Sequence, residues 1–167
     1  MCVLTAPISL RPTTLWRRRS GARWRSSRLR DLLRDDGVAL VDTIAAAAGP
    51  GGDSPWLDKY IFPGGHIPSL SEIAPHVERA GLYLADLEVM RLHYAETLRA
   101  WRARFAANRA RIADLYDERF CRMWEFYLAS CEAGFRHSGL VNFQLQLSKS
   151  IDAAPITRDY LAHVAAA

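Results

Sequence analysis

Residues 139–149 read GLVNFQLQLSK, with Val141, Phe143, Leu145 and Leu147 alternating with Asn142, Gln144, Gln146 and Ser148. Successive side chains of a strand point to opposite faces, so this period of two predicts a strand with one apolar and one polar face. Two further segments carry strand signals. GVALVDTIA (37–45) is a short run rich in Val, Leu and Ile, which suits a strand buried on both faces. GLYLADLEVM (81–90) alternates apolar and mixed residues. Ahead of the first of these, RLRDLLRDDG sets Leu29, Leu32 and Leu33 at helical spacing, with Gly37 placed to end a helix. Helix, glycine, buried strand is the rhythm of an α/β fold.

The segments between are loops and helices. AAAAGPGGDSP (45–55) is a loop by its small residues, glycines and prolines. KYIFPGGHIPSLSEIAPHV (59–77) reads as an apolar segment, a Pro-Gly-Gly turn and a helix start, with Ser69 and Glu72 as a capping box. Pro75 lies too far in for a regular first turn, which predicts a short helix. Tyr94, Leu98, Trp101 and Phe105 then mark one apolar helix face. A longer stripe at the same period runs through Ile112, Tyr116, Phe120, Met123, Tyr127 and Cys131, widened by Trp124, Leu128 and Phe135. An aromatic stripe of this kind is core packing or the lining of a site for a long apolar ligand.

Charge is divided unevenly along the 167 residues. Residues 1–30 hold eight arginines and no acid, whereas the remainder holds 14 of the 22 basic residues against all 18 acidic ones, a net charge of −4. A fold that binds nucleic acid presents its basic residues on the folded face, and this body has no excess of them. Nucleic acid is therefore excluded as a partner of the body. Residues 1–27 form an arginine-rich leader that lacks both hydrophobic periods. It fits an organellar transit peptide, a disordered basic arm for anionic lipid or RNA, or sequence that never folds with the rest, as from a shifted frame in GC-rich DNA. Residues 28–149 are the folded body, and 150–167 a frayed tail. The three cysteines lack regular spacing, which fits a reducing compartment. With no run of about 18 apolar residues, a transmembrane helix is not expected.

Chemistry-bearing motifs are sparse. There is no G-x-G-x-x-G, no G-x-x-x-x-G-K-[ST] and no G-x-S-x-G. The histidines and cysteines show no zinc spacing, so no metal site is expected. His93 and Tyr94 could make an acid/base pair, but helical neighbours point apart by about 100°.

WLDKYIFPGGHIPSLSEI (56–73), VERAGLYLADLEVMRLHYAETLRAW (77–101) and ERFCRMWEFYLASCEAGFR (118–136) together resemble the C-terminal half of cyclopropane-fatty-acyl-phospholipid synthases and mycolic acid cyclopropane synthases. The likeness runs from about Leu29 to Lys149. It implies part of a class I S-adenosylmethionine-dependent methyltransferase fold, with GVALVDTIA, GLYLADLEV and FQLQLSK as the fifth, sixth and seventh strands and the helices between enclosing an acyl chain. The implied reaction moves the methyl group of S-adenosylmethionine to a cis double bond of a phospholipid acyl chain, with bicarbonate as the proton acceptor. The implied setting is cytoplasmic, on the inner face of the membrane, with phospholipid acyl chains and the membrane surface as partners and a homodimer as the assembly.

By the same resemblance Tyr94 matches the tyrosine of a Tyr-x-x-Thr-Leu stretch that donates to bicarbonate, and Ile44 matches an isoleucine whose backbone contributes. Asp42 stands where the family has histidine. A carboxylate about 4 Å from an anion is repelled by roughly 4 kcal/mol at an effective dielectric near 20. Asp42 therefore weakens anion binding or itself serves as the base. The family's glycine-rich cofactor loop, catalytic glutamate and catalytic cysteine lie upstream of Leu29, so no cofactor-binding residue is assigned here. These departures lead to the expectation of a truncated synthase, inactive alone and with an apolar inner strand left as an open edge. The alternatives are one chain of a split lipid methyltransferase, or a non-catalytic protein that binds lipid or the membrane surface.

Overall fold

The computed structural model describes residues 26–52 and 54–160, with side chains from Leu29 onward. The leader expected over 1–27 lies outside the described residues except for the backbone of 26 and 27, as does the end of the tail, 161–167. Nine elements follow in order: α1 (Ser26–Leu32), β1 (Val38–Ala46), α2 (Pro55–Tyr60), α3 (Leu70–Arg79), β2 (Tyr83–Met90), α4 (His93–Ala107), α5 (Arg109–Leu115), α6 (Glu118–His137) and β3 (Leu140–Ser148). The last strand in sequence is the middle one in space, in the order β1-β3-β2. It runs antiparallel to both neighbours, with Gln144 opposite Asp42 and Glu88, and Asn142 opposite Ile44 and Met90. A bulge at Ala85 shifts the β2 register between Leu84 and Asp86.

The alternation in β3 divides the sheet into two unlike faces. Val141, Phe143, Leu145 and Leu147 point to one face and are buried with Ala45, Ile73 and Val77, while Leu29 and Leu33 pack on the rim. Two buried residues four apart, Ile73 and Val77, are how α3 covers this face. The opposite face carries Leu40, Asp42 and Ile44 of β1 beside Asn142, Gln144 and Gln146 of β3. At its upper end Ile44 and Leu140 pack against a second core, formed by Ala95, Leu98 and Phe105 of α4 with Cys121, Leu128 and Phe135 of α6. Gly134 makes this approach possible, because a Cβ there would lie 2.8 Å from the Leu140 side chain.

Five sequence expectations need correction. First, the second face of β1 is covered only at its end, where Ile44 packs on the helices: Leu40 is 66% exposed, and among the described residues the outer edge of the strand meets only the Pro68–Ser69 backbone, at Ala46. Second, α3 continues through Pro75 for a full ten residues. The missing N–H frees only the Ser71 carbonyl, on an exposed residue, and the Glu72 carboxylate secures the start by accepting from the Ser69 N–H at 2.8 Å. Third, the long stripe spans two helices. Asp117 is extended and accepts from the Phe120 N–H at 2.6 Å, so it starts α6 afresh after α5. Fourth, Trp101 stays 39% exposed and Ala95 takes its place in the core. Arg102, next along α4, donates to the buried Glu132 of α6 at 2.8 Å. Fifth, Gly37 does not cap α1 but sits in the turn before β1, its N–H donating to the Arg34 carbonyl.

Charged pairs tie the helices together. Arg136 donates to Glu132 and Glu96, and Arg109 donates to both Glu118 and Glu125. Where a frayed tail was expected, residues 150–160 fold back on the polar face: Arg158 pairs with Asp86 at 2.7 Å, and the Tyr160 hydroxyl donates to Gln146 at 2.7 Å. No described helix is long and apolar enough to cross a membrane.

Two predictions follow from this packing. The β1 edge, unpaired among the described residues beyond its contact at Ala46, together with the exposed Leu40 promotes self-association, and Leu40→Lys shifts the size-exclusion profile toward monomer. An identical profile for both proteins would remove that edge as the cause. The second concerns acid stability. The Arg102 side chain on Glu132, Arg136 on Glu96 and Arg109 on Glu118 hold these three carboxyls below the usual glutamate range. Carboxyls lowered by folding stabilise fully above their unfolded values and lose that contribution as pH falls through the folded ones. The melting temperature therefore falls as pH drops below about 4.3, and Glu132→Gln lowers it at pH 7 while flattening its acid dependence.

Candidate functional site

Of the three residues singled out in the sequence, Asp42 and Ile44 lie on the polar sheet face. Ile44 and Tyr94 pack against the same helical core, although they come from the end of β1 and the first turn of α4. Tyr94 stacks on Phe135 with ring centroids 5.3 Å apart, while its neighbour His93 is exposed. The two side chains diverge, as helical neighbours must, and make no acid/base pair.

Asp42 lies two residues before Ile44 on the same strand face, about 7 Å along the strand. It is exposed, yet its carboxylate is held from the central strand: Asn142 Nδ2 donates to Oδ2 at 2.8 Å and Gln144 Nε2 donates to the same oxygen at 3.2 Å. Both donors come from residues a hundred positions downstream. Asn142 is only 3% exposed, and its Oδ1 has no hydrogen-bond partner among the described residues. Sequence reasoning assigned Asn142 to the polar side of a strand and missed it as a site residue. No local signal could have found it, since its role depends on the β1–β3 register.

A wall of aromatic side chains runs along α6. Tyr116, at the end of α5, and Phe120, Trp124 and Tyr127 of α6 follow one another at centroid distances of 4.4, 5.9 and 4.9 Å, and Phe62 meets Tyr127 at 6.0 Å. The stripe read from the sequence thus splits in two. Cys121, Leu128 and Phe135 are the packed row, and Phe120, Trp124 and Tyr127 form a half-buried wall beside it. YIFPGG supplies the wall's far side through Phe62. Its glycines make the turn: Gly64 has φ of +72° and donates to Asp58, and the Gly65 N–H donates to the Phe62 carbonyl.

Trp56 of α2 meets Phe126 at 4.6 Å, leaving a groove of about 440 Å³ lined by Trp56, Tyr60, Phe120, Met123 and Phe126, with Asp117, Arg119 and Arg122 at its border. This groove shares no residue with the Asp42, Ile44 and Tyr94 end; the aromatic wall connects the two regions through Phe120. Burial, with Cys131 and Tyr94 adding to it, pushes the Tyr127 hydroxyl up to about 12, and burial pushes the Cys131 thiol up to about 11. Both are neutral at pH 7, so the wall is uncharged. Among the described residues no group of histidines, cysteines and acids could hold a metal ion.

Residues 24–145 match the family model described as mycolic acid cyclopropane synthetase. The chain belongs to that family. It is 50% identical over 94 residues to the tuberculostearic acid methyltransferase of Mycobacterium tuberculosis, covering 55% of this chain and 22% of the relative. It is 36% identical over 120 residues to the cyclopropane-fatty-acyl-phospholipid synthase of Escherichia coli, covering 72% and 31%. The chain thus spans a third or less of these relatives. Among solved structures, the cyclopropane synthase MmaA2 from Mycobacterium tuberculosis aligns with a TM-score of 0.68 at 23% identity, covering 74% of this chain and 48% of that one. The mycolic acid cyclopropane synthase CmaA1, solved with S-adenosylhomocysteine and CTAB, aligns with a TM-score of 0.65 at 24% identity, covering 74% and 49%. The fold is the C-terminal part of a class I S-adenosylmethionine-dependent methyltransferase.

The raised Cys131 thiol yields a prediction. The thiolate is the reactive form, and a thiol at about 11 holds far less of it at neutral pH than one at about 8.5. Alkylation of Cys131 by iodoacetamide at pH 7.5 is on the order of 100-fold slower than that of glutathione, and it accelerates toward pH 11. Equal rates, followed by mass spectrometry of the peptide containing Cys131, would contradict a desolvated wall.

Proposed function

We propose that this chain is the acyl-chain-handling portion of a lipid methyltransferase that acts on a cis double bond of a phospholipid acyl chain, with Asp42 as its base. The observation that carries this reading is the uncharged aromatic wall of α6, packed on the same core as Ile44, whose strand holds a fixed carboxylate. An alkyl chain gains by leaving water along such a wall, and a reactive cation on it is shielded from water there. The implied setting is a membrane surface on the cytoplasmic side, where the substrate resides.

S-adenosylmethionine, when bound, supplies the methyl group. The resemblance puts its glycine-rich seat upstream of Leu29, so no described residue is assigned to hold it. On the cationic acyl chain that results, Asp42 takes one proton from the added methyl carbon. The freed C–H electron pair forms the closing bond of the three-membered ring, and the carboxyl then releases its proton to water. Tyr94 lies at the start of α4 beside Phe135, where its ring flanks the reacting segment. Ile44 closes the floor between β1 and the helices.

Bicarbonate, which the resemblance implies, does not fit the residues present. Asp42 stands where the family has histidine, and a carboxylate repels a second anion placed beside it. No step is assigned to it.

The test is a chimera in which residues 29–149 replace the matching segment of the Escherichia coli cyclopropane-fatty-acyl-phospholipid synthase. The expected outcome is transfer of labelled methyl from S-adenosylmethionine to cis-unsaturated phospholipid, insensitive to removal of bicarbonate. Asp42→Asn lowers kcat by about 10²-fold or more, the usual size of a lost general base, and Asp42→His makes the rate depend on bicarbonate. A chimera that melts cooperatively and binds S-adenosylmethionine but transfers no methyl would refute the assignment.

A further inference from the structure

The groove between α2 and α6 carries exposed aromatic surface with a basic border. Tyr60, Trp56 and Phe126 form a continuous row with ring centroids 5.4 and 4.6 Å apart, yet Tyr60 is 43% and Phe126 54% exposed. A second groove, of about 650 Å³ between α4 and α6, shares Phe126, so the apolar surface continues across α6. Arg119 and Arg122 border the first groove, and Lys59 Nζ lies 5.0 Å from the centre of the Tyr60 ring. Arg99, Arg102, Arg109 and Arg136 are each engaged by a glutamate, whereas neither Arg119 nor Arg122 has a salt-bridge partner among the described residues. The acids around them are engaged elsewhere: Glu118 and Glu125 by Arg109, Asp117 by the Phe120 N–H and Asp58 by the Gly64 N–H. The same bias marks the whole helical layer. Residues 93–137 hold eight arginines against six acids, a net charge of +2, while residues 31–92 and 138–167 together hold six basic residues against twelve acids, a net charge of −6.

We propose that this face, Trp56, Tyr60 and Phe126 with Arg119 and Arg122, docks the protein on a bilayer of anionic phospholipid, with the acidic sheet turned away from it. The inference rests on the lipid reading above and names the surface through which the chain meets a bilayer. Tryptophan and tyrosine suit the level of the lipid headgroups, where the ring leaves water and the polar tip stays in it. Phe126 has no polar tip and goes deeper. Arg119, Arg122 and Phe126 are spaced three and four residues apart, so one side of α6 presents all three. Arginine stems lie along apolar surface while the guanidinium groups stay at the phosphates and donate to them. An anionic leaflet attracts these cations and repels the acidic sheet, which fixes the orientation of the molecule.

The test is hydroxyl-radical footprinting of the full chain, read by mass spectrometry, on vesicles of equal parts phosphatidylglycerol and phosphatidylcholine. The expected result is a several-fold fall in oxidation of Tyr60 and Phe126, none at the equally exposed Tyr83 of β2, and no fall on phosphatidylcholine alone. In a sedimentation assay, Arg119→Gln with Arg122→Gln weakens binding to the anionic vesicles by about 25-fold, near five-fold for each arginine. Both side chains are exposed and unpaired, so this variant keeps the wild-type melt. Arg34→Gln with Arg79→Gln, the same charge change beside β1 and at the end of α3, leaves binding within about two-fold. The eight arginines of residues 1–30 are present in every variant and cancel from these ratios. Full oxidation of Tyr60 and Phe126 in a chain that sediments with anionic vesicles overturns the docking face, as does equal protection on neutral vesicles. Protection already present without lipid overturns it in favour of a second copy of the chain, and a folded chain that stays in the supernatant overturns it outright. Methyl transfer by the chimera is a separate readout, so failure of the docking face leaves the lipid methyltransferase reading to its own test.

Discussion

The interaction on which the structure depends is the double pairing of β3. It is the one described strand with a neighbour on each side, antiparallel to both. Each buried apolar residue it sends to one face is matched by a polar residue on the other. Slipping the register by one residue would exchange the two sets and place Phe143 and Leu145 against the polar row. The first core, the clamp on Asp42 and the position of Asn142 all inherit this single alignment. Ile44 opposite Asn142 and Asp42 opposite Gln144 are therefore consequences of an apolar face seeking burial.

The polar face serves as a place where chemistry is positioned because the helices cover only part of it. Leu140 and Ile44 are packed under α4 and α6, whereas Asp42 and Leu40 remain open. The residues from 150 to 160 close the far end through Arg158 and Tyr160. Between the two covered ends lies the carboxylate, held by amide donors on a strand and not on a mobile loop. Held in this way, the carboxylate keeps one geometry. Two ion pairs cross between the helices and tie α4 to α6: Arg102 on Glu132 and Arg136 on Glu96.

Much of the fold was legible because its signals are local. The period of two in 140–149 and the period of 3.6 through Phe120, Trp124 and Tyr127 each report a face that must be buried, whatever the partner. The errors came where a local pattern had more than one outcome. Tyr116 and Phe120 keep the helical spacing across a break, because Asp117 can cap a new helix without disturbing the apolar rhythm. An apolar run such as VALVDTIA reads the same on an inner strand and on a strand with one open edge. Pro75 reads as a stop, but burial of Ile73 and Val77 on either side outweighs one lost hydrogen bond.

The sequence by itself determined the elements, the apolar faces and the family, and it marked Asp42, Ile44 and Tyr94 as residues to follow. Each of these follows from nearest-neighbour spacing or from a string of residue types, both of which a linear chain carries in full. Tertiary structure alone decided which groups hold Asp42, and which row of the aromatic stripe is packed and which is left as a wall. These depend on contacts a hundred residues apart in the chain. Such contacts are set by strand register and helix docking, and no local pattern encodes them.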